Sequence, residues 1–214
     1  MSKSERQSIP YRIVILGDNT VGKTSFFNKV IDGKFQENYL STIGMDRRTI
    51  SQVIKDKEGK DLTVTISLWD TAGQERFRGL SLGYVQNADG IILMFDIENK
   101  CSFYNLKNWI NDIEKHMKNS NEIYAIKIIG NKEDLRDANS QMKQVTTEDV
   151  KEEFKETSAS FEGFYSAKTD TKETLEIILN KIGQEIYDKI GVKINKEVNE
   201  LNEGNNKPKK KRMC

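Results

Sequence analysis

Gly17-Asp18-Asn19-Thr20-Val21-Gly22-Lys23-Thr24 lies between the apolar run Tyr11-Arg12-Ile13-Val14-Ile15-Leu16 and the segment Ser25-Phe26-Phe27-Asn28-Lys29-Val30-Ile31, which reads as a helix. The octet fits G-x-x-x-x-G-K-[ST] in the strand–loop–helix setting that gives this pattern its meaning. Backbone N–H groups of such a loop, together with the positive end of the helix, form a cradle for phosphate oxygens. Contacts are expected over Asn19, Thr20, Val21, Gly22, Lys23, Thr24 and Ser25. Lys23 would neutralise terminal phosphates and the Thr24 hydroxyl would ligate Mg²⁺. The stretch implies a nucleoside-phosphate site.

The base is read further along. Gly130-Asn131-Lys132-Glu133-Asp134 follows a second apolar run, Ile123 to Ile129. A carboxylate such as Asp134 accepts two hydrogen bonds from adjacent N–H groups, a pair that guanine offers and adenine does not. Leaving that carboxylate unpaired against the wrong base costs roughly 1–3 kcal/mol, so the contact discriminates. Ser166-Ala167-Lys168, after the short run Phe161 to Tyr165, supplies a third loop. In an open α/β sheet all three loops converge beyond the carboxyl ends of the strands.

The remaining pattern agrees with such a sheet. The runs at 11–16, 91–95 and 123–129 are short, continuous and rich in β-branched residues, the mark of strands buried on both faces. Leu62, Val64, Ile66 and Leu68 alternate instead, and with Gln52-Val53-Ile54 they read as a hairpin across Asp56 to Lys60. Helices are expected at about 22–32, 102–118, 146–157 and 171–189. The expectation is a doubly wound α/β domain: a mostly parallel six-stranded sheet with one antiparallel edge strand and about five helices. Its parts are a short extension at 1–10, a nucleotide-binding domain at 11–190 and a disordered tail at 191–214.

Composition narrows the class. With 214 residues, one domain with a full core is the prior. No stretch is apolar and long enough for a membrane span, and residues 1–7 lack the apolar core of a signal peptide. Only Cys101 and Cys214 are present, which excludes a disulfide framework and suits a reducing cytosol. A single histidine, His116, leaves no histidine-based catalytic or zinc site. The net charge of +1 conceals a basic tail, in which residues 191–214 hold seven Lys or Arg against three Glu. The body is then mildly acidic, a poor surface for nucleic acid.

Gly17–Thr24, Thr42, Trp69-Asp70-Thr71-Ala72-Gly73-Gln74-Glu75, Asn131–Asp134 and Ser166–Lys168 resemble, in order and approximate spacing, the five guanine-nucleotide motifs of the Ras superfamily. Tyr39 to Asp46 and Gly73 to Arg78 look like Rab GTPases, and the resemblance covers residues 11 to about 190. It implies the P-loop GTPase fold and a GTP/GDP switch directing vesicle-mediated membrane traffic. By resemblance Thr24, Thr42 and Asp70 hold Mg²⁺, Phe35 packs against guanine, and Tyr39 joins the nucleotide contacts. Gly73 reaches the γ-phosphate and Gln74 orients the attacking water, with Asn131, Lys132, Asp134, Ser166, Ala167 and Lys168 around the base. The implied partners of this monomer are an exchange factor, an activating protein, a dissociation inhibitor or escort protein, and effectors. No cis arginine finger stands out, so slow hydrolysis under partner control is expected. Lys209-Lys210-Lys211-Arg212-Met213-Cys214 resembles a Rab prenylation tail, although one cysteine stands where most Rab proteins have two. Cys214 would then anchor the protein to the cytoplasmic face of a membrane, with the basic run as second signal.

Several positions depart from the family pattern. Asn19 and Thr20 replace small residues, Arg47 stands where phenylalanine is usual, Gly83 to Ala88 differs, and Lys127 interrupts an apolar strand with a stem expected to snorkel. The alternatives are a Ras-like or nuclear-transport GTPase of the same fold, or a scaffold with a degenerate nucleotide site. Intact Lys23, Thr24, Asp70 and Gln74 disfavour the scaffold, and the terminal cysteine argues against a nuclear role. A P-loop ATPase or kinase is disfavoured by Asp134 and Ala167, which select guanine.

Overall fold

The computed structural model describes residues 10–37, 42, 44–74, 77–117, 125–137 and 144–205, with 191–205 described through the backbone alone. Tyr39, Glu75, the basic tail run and Cys214 lie outside the described residues.

β1 (Pro10–Gly17) shows why its sequence is apolar without alternation. Ile13 and Ile15 enter one core cluster while Val14 and Leu16 enter the other, and all four are fully buried. The remaining strands are β2 (Met45–Lys55), β3 (Asp61–Thr71), β4 (Gly90–Asp96), β5 (Ala125–Asn131) and β6 (Ala159–Phe164). They form one six-stranded sheet in the order β2-β3-β1-β4-β5-β6. Only the β2–β3 pair is antiparallel, in register from Met45↔Thr71 to Lys55↔Asp61. The expected edge hairpin is therefore present and longer than its apolar pattern suggested.

Helices cover both faces. α1 (Lys23–Asp32) and α6 (Lys172–Asn205) close one layer, with Phe26, Phe27, Val30 and the stripe Leu175, Ile178, Leu179, Ile182 and Ile186 against the sheet. α2 (Arg78–Gly83), α3 (Lys100–Tyr104), α4 (Leu106–Met117) and α5 (Thr147–Phe154) lie on the other. The expected helix at 102–118 is two helices meeting at Asn105. The first is capped by the Asn99 side chain, which accepts from the backbone N–H of Cys101 and Ser102. Thr146 and Asp149 form a reciprocal capping box at α5.

Two expectations are corrected. The helix expected at about 171–189 runs from Lys172 through Asn205 in its backbone. The extension contains Lys, Glu, Val, Ile and Leu and meets no proline before Pro208, so nothing in it forces a stop. Lys127 does not snorkel to water. Its ammonium is buried with Glu162 at 2.9 Å and Glu185 at 2.7 Å, and it donates to Ser160 Oγ at 2.9 Å. A stem rooted in the central sheet under α6 has no short path to solvent, so the charge is met where it lies.

Strand order reverses at β1, which is flanked by β3 and β4. The loops leaving β1, β3, β4, β5 and β6 therefore gather at one edge, where open α/β sheets place their ligands.

Candidate nucleotide site

The loop from β1 to α1 is shaped by left-handed backbone at two places. Gly22, the α1 N-cap, has φ 95°, and a Cβ there would overlap Asn131 Nδ2. Glycine is required by both conformation and room. Thr20 has φ 62°, a costly conformation for a β-branched residue, and it exposes its side chain at the mouth of the cavity.

Lys23 is buried, and its Nζ donates to the carbonyls of Gly17 at 2.9 Å and Asp18 at 2.7 Å. Burial lowers its pKa to about 8, partly offset by the charges of Asp70 and Asp18. Gly73 lies directly above, where a Cβ would overlap Lys23 Nζ and crowd the Asp18 carbonyl. Gly73, two residues beyond β3, is thus held against the phosphate loop by having no side chain.

Three oxygens from separate segments meet beside Lys23. The Thr24 hydroxyl donates to Asp70 Oδ2 at 2.6 Å, and Thr42 Oγ1 lies 2.6 Å from Thr24 Oγ1. Thr24's only proton is spent on Asp70, so Thr42 is the donor of the second bond. Asp70 is fully buried, and its Oδ1 has no hydrogen-bond partner among the described residues. Burial raises its pKa to about 6, against the Thr24 hydrogen bond and the Lys23 charge. A carboxylate oxygen left bare beside two hydroxyls is a hard-oxygen donor set that fits Mg²⁺. Among the described residues no cluster of three His, Cys, Asp or Glu side chains offers a metal site of its own.

A cavity of about 520 Å³ opens next to this cluster. Thr20, Gly22, Thr24 and Ser25 line it from the first loop, Phe35 from the segment after α1, Asn131, Lys132 and Asp134 after β5, and Ala167 and Lys168 after β6. A hollow of about 20 Å³ adjoins it, bounded by Lys23, Thr24, Thr42 and Gly73 among others. Two expected contacts, Val21 and Ser166, do not line this cavity. Val21 turns its side chain into the core, where only its backbone faces the loop system. Ser166 is buried, donating to Asp134 Oδ1 at 2.5 Å and accepting from the N–H groups of Lys168 and Thr169 at 3.1 Å. Asn131, although almost wholly buried, lines the cavity and bonds two neighbouring loops through its amide. Asn19 and Gln74 do not line either hollow.

The sequence reading missed Asn28, Gln36, Glu37 and Leu135, which also line the cavity. Asn28 was legible, since it lies one helical turn beyond Thr24 on the same face of α1. It also missed Asp96, whose Oδ2 accepts from Lys132 Nζ at 2.6 Å. Lys132 has left-handed backbone, φ 68°, and this ion pair directs its side chain.

The Ras family model matches residues 12–190. The chain belongs to the Ras family. Within it, the chain is similar to proteins named for Rab. It is 41% identical over 132 residues to Ras-related protein Rab-27A of Rattus norvegicus, covering 59% of this chain and 58% of that protein. It is 37% identical over 162 residues to Ras-related protein Rab-11C of Dictyostelium discoideum, covering 74% and 69%. GTP-binding protein YPTM1 of Zea mays is 36% identical over 152 residues, covering 70% and 69%. The match to rat Rab-27A thus spans under two thirds of that relative's length. The sheet order and the placement of the phosphate loop are those expected of a Ras-family fold, and the fold expectation is borne out. No helix among the described residues is long and apolar enough to cross a membrane.

Proposed function

We propose that this Ras-family chain is a Rab-type switch that binds GTP and GDP with Mg²⁺, hydrolyses GTP slowly and recruits effectors in vesicle-mediated membrane traffic. The observation that carries this reading is the meeting of Thr24, Thr42 and the bare oxygen of Asp70 beside Lys23, at the mouth of a cavity closed by Asp134 and Ala167.

Thr24, Thr42 and Asp70 are the residues that would hold Mg²⁺; bound there, the ion would neutralise charge on the terminal phosphates. Lys23 exchanges its two loop carbonyls for phosphate oxygens, a stronger charge-assisted pairing. Phe35 supplies an apolar wall for the base, and Asp134 takes its two N–H groups. Gly73 offers its N–H at the terminal phosphate, and Gln74 orients water for attack. Without an inserted arginine such a site turns over at roughly 10⁻⁴–10⁻³ per second, and a partner's arginine adds about 10⁵-fold. Loss of the γ-phosphate releases the segments around 35–47 and 70–84, which is the switch.

An exchange factor, an activating protein and a dissociation inhibitor or escort protein follow from this cycle. Arg47, exposed near the Trp69 ring at 5.7 Å, gives effectors a charge where relatives offer an aromatic ring. A prenyl group on Cys214, assisted by Lys209 to Arg212, would hold the protein on cytosolic membrane faces. Binding and single-turnover hydrolysis of GTP by purified protein, with Gln74→Leu as comparison, tests the reading. Tight guanine-nucleotide binding with hydrolysis slowed in the variant is expected; absence of binding at micromolar nucleotide overturns it.

A further inference from the structure

Asp18, the second residue of the phosphate loop, is held from outside that loop. Its Oδ2 accepts from Asn105 Nδ2 at 2.8 Å and its Oδ1 from the indole Nε1 of Trp109 at 2.9 Å. The same residue's carbonyl receives Lys23 Nζ, so the carboxylate's position is passed directly to the loop backbone that Lys23 spans. Trp109 is 2% exposed, and one face of its ring carries the Arg78 guanidinium, 4.1 Å from the ring centre. Arg78 is fixed to the same helix a second time, through Asp112 Oδ2, at 3.0 Å from Nε and 2.9 Å from Nη2. Arg78 is the first residue of α2, and the preceding Phe77 N–H donates to the Gln74 carbonyl at 2.9 Å.

One side chain of α4 thus touches both halves of the hydrolytic site, an anion at its N–H edge and a cation on its face. The two contacts reinforce each other. A carboxylate accepting a hydrogen bond from the indole N–H pushes electron density into the ring, and a richer ring face attracts a guanidinium more strongly. No contact joins Asp18 to Arg78 directly among the described residues; apart from the through-space attraction of their opposite charges, the link between them runs through Trp109 and the α4 backbone.

We infer that Trp109 is a positioning residue for GTP hydrolysis, coupling the phosphate loop at Asp18 to the Gln74-bearing segment at Arg78. This rests on the proposal that Gln74 orients the attacking water. The test is a double-mutant cycle on single-turnover hydrolysis of preloaded GTP, which removes nucleotide affinity from the reading. Asp18→Asn, Arg78→Gln and their combination are compared in the wild-type chain and in Trp109→Phe, which keeps an aromatic face for Arg78 but lacks the N–H. In the wild-type background each single change is expected to slow hydrolysis, and the double change to depart from the product of the singles by more than about threefold. In Trp109→Phe the departure should shrink toward what the through-space charge attraction alone leaves, and a departure as large as in the wild-type background overturns the inference. A merely structural role would shift stability but leave the two effects independent in both backgrounds. Effects that multiply within about threefold in the wild-type background overturn the inference. Should Asp18→Asn misfold, Asn105→Ala loosens the same carboxylate and takes its place with the same expectation. A wild-type chain that turns over GTP while its variants act independently refutes only this coupling. A wild-type chain that fails to turn over GTP refutes the proposed function and the coupling with it.

Discussion

The side-chain amide of Asn131 donates to the main-chain oxygen of Val21 at 2.8 Å and accepts from the N–H of Ala167 at 3.1 Å, so one residue after β5 ties the phosphate loop to the loop after β6. Its side chain fills the space that the absent Cβ of Gly22 leaves open. Asn131→Ala removes both bonds and leaves two buried main-chain groups without partners, at a cost of roughly 1–3 kcal/mol for each group left unsatisfied. Some of that cost falls on the arrangement of the loops rather than on the whole fold. GDP dissociation should therefore quicken by at least about tenfold, 1.4 kcal/mol in the barrier, followed with a fluorescent nucleotide analogue. An unchanged dissociation rate would mean that the loops hold their places without this bridge.

Asp134 lines the cavity and is oriented by the Ser166 hydroxyl on Oδ1. Asp134→Asn exchanges one acceptor for a donor, which faces the N–H of guanine but matches the additional carbonyl of xanthine. Guanine nucleotides should weaken by about tenfold or more while xanthine nucleotides gain. Competition between the two for the variant is the measurement. Retained guanine preference would remove Asp134 from the role of base reader.

Thr20 has φ 62°, a conformation that costs an L-residue roughly 1–2 kcal/mol. Thr20→Gly relieves the strain but adds about 0.5–1 kcal/mol of unfolded-chain entropy. The net expectation is a gain of about 0.5 kcal/mol in urea unfolding with the slope unchanged. A loss of stability would show that the threonine side chain makes a compensating interaction at the cavity mouth.

What the sequence made legible was local or periodic. β1 could be read because both its faces are buried, and the phosphate loop because Gly22, Lys23 and Thr24 occur in fixed order after it. α2 went unread for a physical reason: it has six residues, two of them glycine, and buries only Ser81 and Leu82. Too short for a period, it is held instead by tertiary contacts, such as the Ser81 hydroxyl on the Ala72 carbonyl at 3.0 Å. Asn105, where the helix after β4 divides, directs its side chain to Asp18, 87 residues away, a contact no local pattern reveals. The partners of Lys127 were equally hidden, since Glu162 and Glu185 belong to elements whose order in the chain says nothing of their approach.

Those partners frame the last expectation. Lys127 Nζ joins Glu162 and Glu185, and these in turn pair with Lys181 and Lys189. Burial works against each charge, yet the hydrogen bonds and opposite charges win: the Lys127 pKa lies above its ordinary 10.5, and those of Glu162 and Glu185 lie below 4.5. The signs define the window. A raised lysine stabilises fully below pH 10.5 and stops doing so as pH climbs through its folded value. Lowered carboxylates stabilise fully above pH 4.5 and stop doing so as pH falls through theirs. Lys127→Met keeps the length of the stem but leaves two carboxylates facing an apolar end, and removing one member of a buried pair costs roughly 3–5 kcal/mol. Lys181 and Lys189 remain to share the charge, so a loss of about 3 kcal/mol near pH 7 is expected in urea unfolding. The gap between variant and wild type should narrow once the pH falls well below 4.5, because protonated glutamates no longer need the lysine. A methionine variant as stable as wild type at pH 7 would show instead that the network costs as much in desolvation as it returns, and that it serves to select one docking of α6 on the sheet.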